Sequence, residues 1–221
     1  MAIKMRINYH KIRLYTKTLK LRRGTVINIY PTFKCNLNCS YCNLHFVDGM
    51  HPDTIKVCTT EEYRTYFERF PPHLIREIAI AGGEPTLIDH FPDIANMLLD
   101  MGYHVKIYTN LTNIEPLIKV KNSYRFRITA TYHKNFPPEL FLKNYNQIKQ
   151  YHYIVAQEIL DCHIQNFKIV YTERKIFDFT RKRPLQESGC DQSSVLNLSP
   201  DLMLFPHTYD MVKYLRDKKI N

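Results

Sequence analysis

The stretch FKCNLNCSYCNLHF, residues 33 to 46, sets three thiols close together at Cys35, Cys39 and Cys42. Thiolates at that spacing, in a loop that can turn all three sulfurs toward one point, suit soft metals and iron–sulfur clusters. A closed zinc site needs four protein ligands, commonly two CxxC-type pairs, and no second pair follows at finger-like spacing. Zinc held by these three with His45, or simple burial of three small thiols, are the alternatives. Three thiolates on a four-iron cluster leave one iron without a protein ligand, and an open iron takes an exogenous one. Such a site is reactive rather than structural.

The elements around the cysteines must place them at one end of a sheet. Candidate strands are Thr25 to Tyr30, Glu77 to Ala81, His104 to Thr109, Phe126 to Thr131, Tyr153 to Ile159 and Phe167 to Tyr171, all short β-branched or aromatic runs. Helices are expected between most of them. One follows Thr59, where Glu62 completes a capping box. Others run from Phe91 to Met101, Asn113 to Lys119 and Pro138 to Gln150. Strands alternating with helices give parallel βαβ units, in a doubly wound sheet or a whole or partial barrel, and in either the loops after the strands carry the chemistry. One link breaks the rhythm, because Leu160 to Asn166 is too short for an ordinary crossover helix.

Length and composition bound the rest. A chain of 221 residues supports one well-buried domain and a small appendage. No apolar stretch approaches the roughly 18 residues of a membrane span, so no membrane partner is expected. The net charge of +10 is concentrated at the start: residues 1 to 23 hold eight Lys or Arg and no Asp or Glu. That arm raises the odds of a polyanionic partner such as nucleic acid, although net charge also serves solubility. Six cysteines without a secretory signal point to a reducing compartment, hence a cytoplasmic location. The expected organisation is a basic arm over 1–24, a barrel over 25–175 and an extension over 176–221.

The pattern C35-N-L-N-C39-S-Y41-C42 resembles the signature of the radical S-adenosylmethionine (SAM) superfamily, CxxxCxxC with an aromatic residue before the last cysteine. Supporting it is AIAGGEPTL, residues 79 to 87, which alone is a tight strand-to-loop turn but which ends the second strand, where the family has its GGE motif. The resemblance covers about residues 25 to 172 and implies a partial (β/α)6 TIM-like barrel. It implies a 4Fe-4S cluster on Cys35, Cys39 and Cys42, with SAM chelating the open iron. Tyr41 and Gly82 to Pro85 would then line the cofactor, the glycines admitting backbone close to it and Glu84 accepting the methionine ammonium. YTNLT resembles the family's TNG, with Leu111 in place of glycine, so Thr109 and Asn110 are expected SAM contacts. ITATYHK offers Thr129 or Thr131 for the SAM carboxylate or ribose, against a reading as half-buried strand threonines, and His133 as a substrate or acid/base residue. The implied chemistry is reductive cleavage of SAM and hydrogen abstraction by a 5′-deoxyadenosyl radical, in an oxygen-sensitive protein fed by a flavodoxin- or ferredoxin-like reducing partner.

The tail from Cys190 to His207 is similar to a worn copy of the twitch or SPASM hairpin of peptide-modifying relatives. Leu202 replaces its turn glycine and His207 stands where cysteine would be. An auxiliary cluster would need Cys58 and Cys162 as well, so the expectation is a hairpin over the open barrel side, then a short helix from about Thr208 to Lys218. Three substrate classes fit: a nucleotide or nucleic-acid component, motivated by the arm, by Arg174, Lys175, Arg181, Lys182 and Arg183, and by sixteen tyrosines; a peptide; or a partner enzyme that receives a glycyl radical. Under a different class, a non-catalytic zinc or iron–sulfur binding module, the GGEP run would be accidental.

Overall fold

The computed structural model describes residues 24–39, 42, 57–159, 175–177, 195–200, 202, 204–205, 211 and 214–215. Eight strands form one sheet: β1 (Thr25–Thr32), β2 (Ile75–Gly82), β3 (Val105–Thr109), β4 (Phe126–Tyr132), β5 (Tyr153–Ile159), β6 (Lys175–Phe177), β7 (Val195–Leu198) and β8 (Leu204–Phe205). Their spatial order is β6-β5-β4-β3-β2-β1-β7-β8. Every pairing is parallel except β7 with β8. The sheet does not close, and the architecture is the open, TIM-like partial barrel expected from the sequence.

Four helices among the described residues cover one face: α1 (Thr60–Phe67), α2 (Phe91–Asp100), α3 (Glu115–Ile118) and α4 (Pro138–Ile148). The capping box forms as expected. Glu62 N–H donates to Thr59 Oγ1 at 3.2 Å, and Thr59 N–H donates back to Glu62 Oε2 at 2.9 Å. At the C-terminal end of α2 the chain turns through Gly102 at φ +92°, where Gly102 and Tyr103 N–H groups reach the Leu99 and Leu98 carbonyls.

Period-two alternation divides each strand between two faces. Ile27, Ile29, Ile78, Ile80, Ile107 and Ile128 are fully buried against Phe67, Phe91, Leu98 and Phe141 of the helices. The opposite, concave face carries Asn28, Tyr30, Ala79, Lys106, Tyr108, Arg127, Thr129 and Thr131. At the β1 end of this face Tyr30 and Phe33 pack with Phe205, Met211 and Leu215, with Ala81 and Tyr214 at the margin. Helical turns at Met211 and at Tyr214 and Leu215 lie within the span expected for the closing helix.

The hairpin forms, and β7 pairs in parallel with β1, Asn28 opposite Asn197, so it extends the sheet at its β1 edge. Pairing satisfies the row of backbone groups that an unpaired β1 edge would expose. The strand beside β5 is Lys175–Phe177, whereas the expected sixth strand, Phe167 to Tyr171, lies outside the described residues, as does the link Leu160 to Asn166. The arm over 1–23, Tyr41, His45, Cys162, Arg174, Arg181, Lys182, Arg183, Cys190 and His207 also lie outside them.

Candidate functional site

The cysteine loop leaves the C-terminal end of β1 and is stitched at once to the end of β2. Gly83 N–H donates to the Thr32 carbonyl at 2.9 Å and Glu84 N–H to the Lys34 carbonyl at 2.7 Å. This contact explains both glycines. A Cβ on Gly82 would stand 2.2 Å from the Thr32 oxygen, and one on Gly83 would stand 2.0 Å from the Lys34 oxygen. Gly82 also holds φ +125°, outside the range of ordinary L-residues. The backbone that these glycines admit here is the start of the cysteine loop itself.

Glu84 is fully buried and its carboxylate gathers four donors. Oε1 accepts from Thr86 N–H (3.1 Å), the Thr86 hydroxyl (2.7 Å) and the Thr109 hydroxyl (2.8 Å), while Oε2 accepts from Asn110 N–H (2.6 Å). Burial pushes its carboxyl above the ordinary range and the four hydrogen bonds pull it back. The side chain therefore clamps the end of β2 to the end of β3. Thr109 is part of the same clamp, its oxygen also accepting from Leu111 N–H at 3.0 Å. Pro85 is buried at the start of the short 3-10 turn Pro85–Leu87.

Leu111, where the family pattern has glycine, adopts φ +62° and is fully buried. Its carbonyl accepts from Asn144 Nδ2 at 2.9 Å, which helps hold the left-handed turn. Leu202, the other leucine in place of a glycine, sits at φ +64°. Both positions keep the backbone that glycine would supply and carry a leucine in spite of it.

A ladder of asparagines then holds the cysteine loop from the other strand ends. Asn110 Nδ2 donates to Asn36 Oδ1 at 2.9 Å and lies 3.9 Å from Cys35 Sγ. Asn36 Nδ2 donates to Thr112 Oγ1 at 2.7 Å, and Asn135 Nδ2 to the Asn38 carbonyl at 2.8 Å. His133 Nδ1 stands 3.6 Å from Cys39 Sγ, and burial holds its pKa down to about 4, so the ring is neutral at neutral pH. Asn36, Asn38, Thr112 and Asn135 are absent from the sequence-based site. The signal was present in C-N-L-N-C, since asparagine beside a ligand is a ready loop cap.

Cys35 is exposed, Cys39 buried and Cys42 half-buried, with Cys42 N–H donating to the Cys39 carbonyl at 3.0 Å. Although Cys35 is exposed as a residue, partial desolvation of its thiol raises the pKa most, the Leu37 N–H pulls it back, and the charges of Glu84, Cys42 and Cys39 raise it further. Among the described residues no three His, Cys, Asp or Glu side chains converge to hold a single metal ion. Thr129 is buried, and Thr131 Oγ1 accepts from Gln157 Nε2 at 2.7 Å. Cys58 is a buried thiol donating to the Pro200 carbonyl at 2.8 Å, which ties the hairpin to the segment before α1.

A cysteine loop on β1 is thus seated on a Gly-Gly-Glu turn of β2 at one end of an open parallel barrel. The chain belongs to the radical SAM superfamily, whose family model matches residues 29–154. It is 23% identical over 190 residues to the 7-carboxy-7-deazaguanine synthase of Clostridium acetobutylicum, covering 85% of this chain and 77% of that one. It is also 34% identical over 85 residues to the S-adenosylmethionine-dependent nucleotide dehydratase of Selenomonas ruminantium, covering 38% of this chain and 29% of the relative. Among solved structures, BtrN in complex with AdoMet and 2-DOIA superposes with TM-score 0.54 at 14% identity, over 89% of this chain and 81% of that one. Streptococcus suis SuiB bound to S-adenosylmethionine gives 0.53 at 16% identity, over 69% of this chain but 36% of SuiB. These likenesses establish the fold.

Membership implies SAM and a 4Fe–4S cluster as cofactors. The donor chemistry fits: three cysteines lie on one loop, and that loop is anchored by backbone and asparagine contacts.

Proposed function

We propose that this protein cleaves SAM reductively and uses the resulting 5′-deoxyadenosyl radical to abstract a hydrogen atom from a nucleotide or nucleic-acid component. The observation that carries the reading is the seating of the Cys35–Cys42 loop on Gly83 and Glu84 through the 2.9 Å and 2.7 Å backbone bonds. Cys35, Cys39 and Cys42 would hold the cluster. A bound cluster would supply the one electron for reductive cleavage of SAM to methionine and a 5′-deoxyadenosyl radical, which would leave as 5′-deoxyadenosine after taking a hydrogen atom from the substrate. The electron comes from a flavodoxin- or ferredoxin-like partner in a reducing, cytoplasmic setting.

The chain's own residues orient and exclude water. Glu84 and Thr109 set the spacing of the β2 and β3 ends, on which the cofactor would rest. Thr129, buried on the concave face of β4, would be the residue that meets the SAM carboxylate or ribose. The packing of Phe205, Met211 and Leu215 on Tyr30 and Phe33 keeps solvent off the β1 side. A nucleotide-related substrate is supported by the basic chain and by relatives whose names specify a deazaguanine and a nucleotide.

The test is anaerobic reconstitution with iron and sulfide, reduction in the presence of SAM, and analysis for 5′-deoxyadenosine, with nucleotides or peptides added as accelerants. Formation of 5′-deoxyadenosine, increased by a nucleotide, is the expected result. Acceleration by a peptide alone would move the substrate to the peptide class. Iron-loaded protein that never cleaves SAM would overturn the enzyme reading.

A further inference from the structure

The concave face is divided. Over β1 and β2 it is covered by apolar packing, whereas over β3, β4 and β5 it is polar and open to solvent in part. In the polar half, Lys106 and Arg127 are direct register partners on adjacent parallel strands, both turned away from the helix-covered face. Lys106 Nζ lies 4.6 Å from the centre of the Tyr108 ring, and Arg127 is exposed. Glu77 occupies the same face of neighbouring β2, yet neither cation forms an ion pair with it or with any other described residue. Two like charges side by side on one sheet face are mutually destabilising, and an anion between them reverses the sign of that interaction.

We infer that Lys106 and Arg127 form a phosphate-binding subsite for the substrate, with Tyr108 as the ring against which the adjoining sugar or base packs. This subsite rests on the nucleotide reading above and narrows it to a phosphorylated substrate. The placement suits that role. A strand rises about 3.3 Å per residue, so Lys106 stands roughly 13 Å down β3 from Asn110, which touches the cysteine loop. A ligand gripped by its phosphate at the lower end therefore extends along Tyr108 and Thr129 toward the cluster end of the barrel, with its sugar and base between the two. Arginine supplies a fork of donors to phosphate oxygens and lysine a compact charge.

The experiment is calorimetric titration of the anaerobically reconstituted protein with the four ribonucleoside 5′-monophosphates, the corresponding nucleosides and inorganic pyrophosphate, beside the SAM-cleavage assay on the same preparation. At least one monophosphate binds about tenfold or more tightly than its nucleoside, and pyrophosphate competes with it. Lys106→Gln and Arg127→Gln each weaken that binding about tenfold, while Lys106→Arg, which keeps the charge and guards against a folding artefact, retains it. No preference for phosphate, or unchanged affinity in both glutamine variants, overturns the subsite even where SAM is cleaved. Phosphate-dependent binding without SAM cleavage instead overturns the radical reading and leaves the subsite standing.

Discussion

Replacing Glu84 by glutamine separates two roles for that carboxylate. The side chains are nearly the same size, so the change acts through hydrogen bonding and charge. In the native protein Oε1 serves three donors and Oε2 serves Asn110 N–H. The better orientation of the substituted amide keeps its oxygen on the three donors and turns its NH2 group toward Asn110 N–H. One buried donor is then left facing another, which costs about 1–3 kcal/mol. Loss of the buried charge offsets part of this, because burial already disfavours the ionised form. A net loss of about 1–2 kcal/mol lowers Tm by several degrees in a chain of this size. The assay is thermal unfolding of the metal-free protein under reducing conditions, followed by SAM binding to the reconstituted form. The carboxyl is raised in the fold, so the native protein loses stability as pH climbs from the ordinary carboxylate range through the folded value, and Glu84→Gln lacks that decline. An unchanged Tm with SAM binding weakened about tenfold would refute the clamp and make Glu84 a ligand contact alone.

Cys39→Ala abolishes cluster binding and 5′-deoxyadenosine formation while the circular dichroism of the barrel persists, since the loop adds little to the core; full activity would remove Cys39 from the ligand set. Gly83→Ala drives a methyl against the Lys34 oxygen and displaces the cysteine loop, so iron content after reconstitution falls sharply and native loading would contradict the seating. Asn110→Ala removes the amide that reaches Asn36 and Cys35, and cluster affinity falls about tenfold or more as outer-sphere changes commonly do, measured by iron retention against a chelator. Leu111→Gly relieves about 1–2 kcal/mol of backbone strain but empties a fully buried site worth about 2–5 kcal/mol, so denaturant titration shows net destabilisation.

Much of the architecture was legible because it depends on short-range pattern. Short β-branched and aromatic runs marked β1 to β5 within a few residues, and Thr59 with Glu62 marked the start of α1, since a capping box is complete within four residues. The three thiols and the Gly-Gly-Glu turn were equally visible as types at a spacing. What that spacing did not carry was direction. Glu84 looked like an open acceptor for an ammonium group, yet its four donors come from Thr86, Thr109 and Asn110, two of them reached only when β3 lies beside β2. The glycines looked like room for a cofactor, and the close approach they allow in the fold is that of the Thr32–Lys34 backbone. The hairpin was legible as a pair of short apolar runs, but not its partner, which is the β1 edge with its row of free backbone groups. The pairing of Lys106 with Arg127 had no signature at all, being 21 residues apart in the chain and side by side only through strand register. Local pattern thus determined which elements form and which residues can do chemistry. Tertiary structure decided which of those residues face one another, because hydrogen bonds and like-charge contacts depend on distances of a few ångströms that sequence separation does not encode.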